Sequence, residues 1–308
     1  MTIAPALSTI YGRLVLVAAM WGGTFIAGRV AAAQMTAPMA ALWRYVIATL
    51  ALLALSFVIE RGLPRLSRAQ WIGVCLLGAT GVMAYNLCFM FGMETVSASR
   101  GSLIIATVPA ATLLGGALFL REPLTLRRVA GVLIALLGVA VELGHGNPLV
   151  LFGGHSGIGE VALFGGVLSW AAYTLIGKRL LVDMSPLAAT TYAALAGTVM
   201  LALVCAINGD LVLPQVTAKG WIALAYMGIF GTAIAFVWFY DGVKAIGPAR
   251  SMVFVNLVPI FAIAFAMLLL GEKLELSMVM GAALVIVGVF IINWPSRPNP
   301  AASGAAAR

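Results

Sequence analysis

Few side chains in this sequence can do chemistry, and they stand in an apolar background: Trp21, Thr24, Tyr85, Asn86, Trp170, Tyr173, Phe236, Trp238, Tyr240 and Asn256. Flat aromatic faces with a few hydroxyl and amide groups suit the binding of an amphipathic, uncharged or zwitterionic solute, because ligand pockets are mainly apolar with a few placed polar groups. Taken singly, each of these residues reads as core; as a set they form the best candidate binding site. Bond-making is a poorer fit. No buried nucleophile has a base beside it, and neither His nor Asp lies within the apolar segments, so no catalytic residue is expected. His145 and His155, in GHGNPLVLFGGHSG, have no cysteine or carboxylate at ligand spacing and read as a solvated linker, with no metal expected. A GxxxxGK[ST] phosphate loop is also lacking, and no cofactor is expected.

Arg44 is the one cation well inside an apolar segment, where charge is costly unless paired or hydrated. It lies close enough to a segment end to snorkel outward, and structural and gating readings both stand. Pro109 and Pro259 interrupt two segments, each removing a backbone donor and crowding the carbonyl four residues earlier, Ile105 or Val255. A static bend and a hinge are equally compatible with them. Asn256, one turn before Pro259, is placed either to bind a ligand or to repair the freed carbonyl. Glu122 and Glu272 immediately precede the next helices, whose N-termini they would stabilise. Arg100 and Arg250 are candidate anchors for loops or lipid phosphates. The carboxylates Glu60, Glu94, Glu142, Glu160, Asp183, Asp210, Asp241 and Glu275 fall at segment ends or in loops, so none is positioned as a mid-span proton relay.

The elements that must hold these residues follow from composition. Of 308 residues, 63% are hydrophobic and 9% charged, far below the roughly 25% that a water-facing surface needs. Lipid is the implied solvent. Ten apolar runs are long enough to cross a hydrocarbon core of about 30 Å, near 14–33, 39–59, 70–91, 101–120, 127–143, 158–177, 186–207, 219–240, 250–270 and 276–294. They are apolar on every face, unlike the alternating strands of a barrel, so the fold class is an all-α integral membrane protein. Arg13, Arg61, Arg65, Arg68, Arg121, Arg127, Arg128, Lys178, Arg179, Lys244, Arg250, Arg297 and Arg308 gather on one side if both termini are cytoplasmic, whereas the other side receives Arg29, Arg100, Lys219 and Lys273. The net charge of +8 therefore points to membrane orientation, with no nucleic-acid partner. Cys75, Cys88 and Cys205 lie inside spans and read as packing residues.

The chain also repeats itself. From Trp71 to Val139 the halves align without a gap at an offset of 150, pairing Gly78 with Gly228, Gly81 with Gly231, Arg100 with Arg250, Pro109 with Pro259 and Glu122 with Glu272. At an offset of 149, Trp21 faces Trp170. A unit of five spans is odd, so the second copy must enter the membrane inverted, and a binding site is then expected near the midplane between the copies. Trp21 and Trp170 would lie toward opposite ends, each closing one mouth of a central path. The expected organisation is residues 1–145 as the first five-helix repeat, 146–157 as an external linker, 158–294 as the second, inverted repeat and 295–308 as a disordered cytoplasmic tail.

WGGTF in the first span, PMAALWRY opening the second, and VP followed by RE or GE after the fourth and ninth resemble the drug/metabolite transporter superfamily, EamA type. The resemblance covers residues 12–294 and is nearest to the YddG-type amino-acid exporters. It implies a multi-pass protein of the bacterial inner membrane that exports small neutral or zwitterionic metabolites, aromatic amino acids among them, by alternating access. Its partners would be the small-molecule substrate and the lipid bilayer, and a monomer suffices. Small multidrug exporters of that superfamily carry a glutamate in helix one, which WGGTFIAG lacks, so the expectation is gradient-driven transport of a solute with no net positive charge. Nucleosides or sugar-like solutes, a channel and a lipid-handling protein remain the alternatives.

Overall fold

The computed structural model describes residues 7–122, 124–147, 157–180, 184–210 and 216–293. His155, most of the expected 146–157 linker and the 295–308 tail lie outside the described residues. Ten helices follow in order: α1 (Leu7–Ala32), α2 (Ala37–Glu60), α3 (Arg68–Thr95), α4 (Ala98–Leu120), α5 (Leu126–Leu143), α6 (Ile158–Leu180), α7 (Pro186–Asn208), α8 (Ala218–Ile246), α9 (Pro248–Val255, continued by Val258–Phe265 and Ala266–Leu270) and α10 (Leu276–Asn293). No strand occurs among the described residues.

Helices are forced here because lipid cannot hydrogen-bond a backbone, so every N–H and C=O must be paired within its own segment. Their starts are marked by local chemistry. Ser67 and Gln70 form a reciprocal capping box at α3, Ser97 accepts from the Arg100 amide at α4, and α2 and α7 carry Pro38 and Pro186 in the first turn, where no donor is needed. Nine of the ten helices are long and apolar enough to span a membrane on those grounds alone. The exception among the ten expected spans is α5, whose Arg127, Arg128 and Glu142 crowd the two ends of its 18 residues.

Four helices are irregular. In α4 the α-helix stops at Ile105 and restarts at Val108, and in α9 it stops at Val255 and restarts at Val258. Pro109 and Pro259 occupy the first turn of each restarted segment, where a missing N–H costs nothing, so each break sits just before its proline. The π-helical stretches were not expected: α3 widens over Gly78–Ala84, α8 over Tyr226–Ile234, and α9 at its end over Ala266–Leu270.

The halves are antiparallel copies. The Thr49 and Thr198 hydroxyls, equivalent at an offset of 149, hydrogen-bond each other at 2.9 Å where α2 crosses α7. In α5 and α10 the equivalent glycines exchange partners: a Cβ on Gly131 would meet the Gly288 carbonyl at 2.8 Å, and one on Gly138 would meet that of Gly281 at 2.7 Å. Contact of rising with falling residue numbers requires antiparallel helices, and glycine permits the backbone approach that holds helices together where lipid offers no hydrophobic drive. The same swap places α1 against α8 and α9, and α6 against α3 and α4. Below, the end where α1 begins is called proximal and the end where it finishes distal.

Candidate functional site

The π-helical turns of α3 and α8 shape the centre. A π-turn shifts carbonyls out of the regular i to i−4 ladder, and such turns concentrate at functional sites. Polar side chains engage the loosened carbonyls. Asn86 Nδ2 donates to the carbonyl oxygens of Val82 at 2.7 Å and Gly81 at 3.4 Å, Thr232 Oγ1 to that of Met227 at 2.9 Å, and Trp21 Nε1 to that of Gly231 at 3.1 Å. Gly81 and Gly231 are close-packed in matching ways, Gly81 against the Tyr173 ring and Gly231 against Thr24, which are themselves equivalent at an offset of 149.

Between the two turns lies a cavity lined by Tyr45, Trp170, Tyr173, Thr190, Thr232 and Phe236, with Gly81, Val82, Ala193 and Ala194 completing the wall. Its free volume is about 10 Å³, room for a single water. A second cleft, of about 50 Å³, runs from Ile59, Asp241 and Lys244 at the proximal end inward to Thr190 and Phe236. Those two residues line both spaces, so the inner end of the cleft and the central cavity share a wall. Thr190 shares the cavity wall with Tyr173 and the cleft wall with Tyr240.

The structure brings most of the aromatic candidates into one cluster. Trp170 has ring centroids of Tyr85, Tyr173 and Phe236 at 4.8, 5.1 and 6.2 Å; Trp21 meets Phe236 at 5.9 Å; and Tyr240 meets Phe236 at 6.2 Å. Trp21 and Trp170 therefore do not stand at opposite mouths, as the repeat suggested. They join through Phe236 near the centre, Trp170 in the cavity wall and Trp21 behind it. Thr24 is buried and donates to the Trp21 carbonyl, so it packs behind the wall as well.

Two candidates stand apart. Trp238 lies about 200° around the helix from Phe236, counting 100° per residue, and carries the Arg13 guanidinium over its ring at 5.5 Å. Asn256 sits in the break of α9, where its Nδ2 is buried without a partner, so it does not repair the freed carbonyl. Arg44 does not snorkel: it is 7% exposed and turns inward to donate to Asn86 Oδ1 at 2.7 Å.

Sequence reading missed Tyr45, Thr190 and Thr232. The paired glycines Gly78 and Gly81, repeated as Gly228 and Gly231, were the available signal for Thr232, which lies within the second π-turn. Tyr45 closes the PMAALWRY stretch quoted above, whereas Thr190 carried no comparable mark.

Polar ties close the distal end. Both oxygens of Glu272, after α9, accept from the backbone N–H groups of Ala98 and Ser99 at 2.8 and 3.2 Å. This carboxylate caps α4, and not the following α10 as its position in the sequence suggested. Arg100 reaches Glu142 at 3.5 Å, Glu160 at 3.6 Å and His145 at 3.1 Å, and His145 reaches Glu275 at 3.1 Å. Arg100 and His145 thus tie four helices together, while the His145 side chain stays largely exposed, as expected of a solvated stretch. At the proximal end Arg13 pairs with Asp241 at 3.4 Å, and Lys178 with Glu122.

Among the described residues, ten antiparallel-repeat helices, nine of them fit to span lipid, around an aromatic centre with a cleft from one end define a multi-pass membrane transporter. The comparisons sharpen this: the profile of the EamA-like transporter family matches residues 9–143 and again 157–294, and the chain belongs to that family. It is similar to the uncharacterized transporter YyaM of Bacillus subtilis, at 28% identity over 87% of this chain and 88% of that one. A probable terminal-alkyne amino-acid exporter of Streptantibioticus cattleyicolor is 31% identical over 93% of this chain and 94% of its own. A solved crystal structure shares the fold, with a TM-score of 0.65 at 18% identity over 96% of this chain and the whole of the other.

Proposed function

We propose that this transporter exports small amphipathic metabolites that are neutral or zwitterionic, amino acids with aromatic or apolar side chains foremost, from the cytoplasm across the bacterial inner membrane. The observation that carries the reading is the central cavity walled by Trp170, Tyr173, Tyr45 and Phe236, which shares Thr190 and Phe236 with a cleft from the proximal end, while ion pairs join the helices distally. The basic-residue bias makes the proximal end cytoplasmic, with both termini on that side. A similar exporter of an amino acid supports the solute class.

The central space holds about one water, whereas bound metabolites need several hundred Å³. Loading therefore requires the helices to part. The broken α4 and α9, with Pro109 and Pro259 at their restarts, supply places for the bending, and alternating access moves the open mouth from one end to the other. With no carboxylate in the cavity wall, transport is driven by the solute gradient.

Counterflow into proteoliposomes of purified protein tests this. Preloaded L-phenylalanine or L-tryptophan is expected to accelerate uptake of the labelled amino acid, and Trp170→Ala to reduce that exchange at least tenfold with little loss of folded protein. Exchange with nucleosides but no amino acid would redirect the solute class. Uptake without stimulation from the far side would replace a carrier by a channel.

A further inference from the structure

We propose that Arg44, held by Asn86, recognises a carboxylate of the transported solute. The inference rests on the carrier reading above and narrows its substrate to solutes that bear such a group. Arg44 begins about 10 Å below the distal start of α2, at 1.5 Å per residue, and is 7% exposed. No carboxylate among the described residues forms an ion pair with it. Its guanidinium carbon lies over the rings of Tyr45 and Phe89, at 5.6 and 5.8 Å, and it donates to Asn86 Oδ1, while its Nε is buried without a partner. A cation in that position is expensive, and a neutral amide plus two ring faces compensate it only in part. An anion that visits would complete the compensation.

The position relative to the cavity is favourable. Tyr45, Gly81 and Val82 line the cavity, and the Arg44–Asn86 pair sits directly behind them, hydrogen-bonded to the carbonyls of both Gly81 and Val82. Repeat symmetry places the pair at wall depth. A Cβ on Gly228 would meet Arg44 O and Ala48 N as one on Gly78 would meet Ala193 O and Gly197 N, so Arg44 is the counterpart of Ala193. At an offset of 150, Asn86 is the counterpart of Phe236, and Ala193 and Phe236 both line the cavity. The first repeat therefore brings a cation and an amide where the second brings apolar wall. A planar guanidinium matches a carboxylate through two parallel hydrogen bonds, and the opposite aromatic wall takes the apolar side chain. Turning the Tyr45 ring aside exposes the guanidinium to the cavity.

The test uses pairs of probes that differ only in carboxylate against carboxamide: L-phenylalanine with L-phenylalaninamide, and indole-3-acetate with indole-3-acetamide. Two pairs are needed because they differ in net charge. Binding is read as thermal stabilisation of the purified protein. Wild type is expected to favour the carboxylate member at least tenfold in both pairs, Arg44→Gln to bring the two members within about twofold by weakening only the carboxylate, and Arg44→Lys to fall between. Equal binding of both members by wild type overturns the assignment while leaving the carrier intact. So does a folded Arg44→Gln that keeps the preference, or one that weakens both members alike, which would make Arg44 a support of the π-turn. If Arg44→Gln does not fold, the wild-type comparison decides. Failure of wild type to bind any of the four probes overturns both this assignment and the proposed solute class.

Discussion

The distal and proximal ends are built from equivalent stretches of the two repeats, yet among the described residues the distal ion pairs join into a network around Arg100 and His145, whereas the proximal ones are separate pairs. Glu122 and Glu272 are counterparts, but Glu272 finds two donors at the start of α4, whereas the equivalent start of α9 has Pro248 in place of Ala98 and offers one N–H fewer. Glu122 turns to Lys178 instead. Arg100 has two carboxylate partners; its counterpart Arg250 is exposed, with Ile292 where Glu142 would be and Tyr11 where Glu160 would be. A handful of substitutions has turned a symmetric scaffold into one with a tied mouth and an open cleft. The difference teaches that equivalent stretches of the two repeats carry different polar ties once a few residues at the helix ends differ.

The comparison breaks most sharply at Arg100. Arg100→Ala strands Glu142, which is 4% exposed, and releases Glu160 and His145. A loss of about 2 kcal/mol or more is expected, visible as a lower melting temperature. In a Cys75→Ser, Cys205→Ser background, Cys88 beside Gly165 should also become open to an impermeant maleimide from the distal side. No gain in labelling would mean that the network does not hold that mouth shut. The paired glutamates sharpen the comparison. Glu272→Ala removes two charge-assisted bonds at a helix start and should cost about 1 to 2 kcal/mol, whereas Glu122→Ala removes an exposed ion pair and should cost under about 1 kcal/mol. Equal melting shifts would erase the claimed asymmetry.

The smallest effect concerns pH. The His145 ring, by hydrogen bond and charge, holds the Glu275 carboxyl below its ordinary value. A depressed carboxyl contributes stability that is present above the unfolded value, about 4.3 for glutamate, and is lost as pH falls through the lower folded value. Melting curves of wild type and His145→Gln should therefore converge on acidification; a gap that widens would contradict the sign.

Much of this architecture was legible in the sequence. Apolar run length gave the helices, the offset of 150 gave the antiparallel copies, and proline positions located the breaks of α4 and α9 within a turn. Aromatic residues at matching depth gave most of the central cluster. The π-turns were not legible, because a one-residue widening leaves hydrophobic spacing almost unchanged. Nor was the direction of Arg44, since outward and inward rotamers start from the same helix position and only the amide of Asn86, 42 residues away, selects between them. The end-to-end asymmetry was present all along in Ala98 against Pro248 and Glu142 against Ile292, but its meaning depended on knowing that Glu272 reaches across to α4.

The glycine contact of α5 with α10 has a practical corollary. Neither helix contributes to the cavity or the cleft, so the scaffold seam and the recognition surface are physically separate. An engineer wishing to alter cargo can randomise the aromatic wall while leaving Gly131, Gly138, Gly281 and Gly288 untouched, and a library that varies those four instead should yield misassembled protein and no new selectivity.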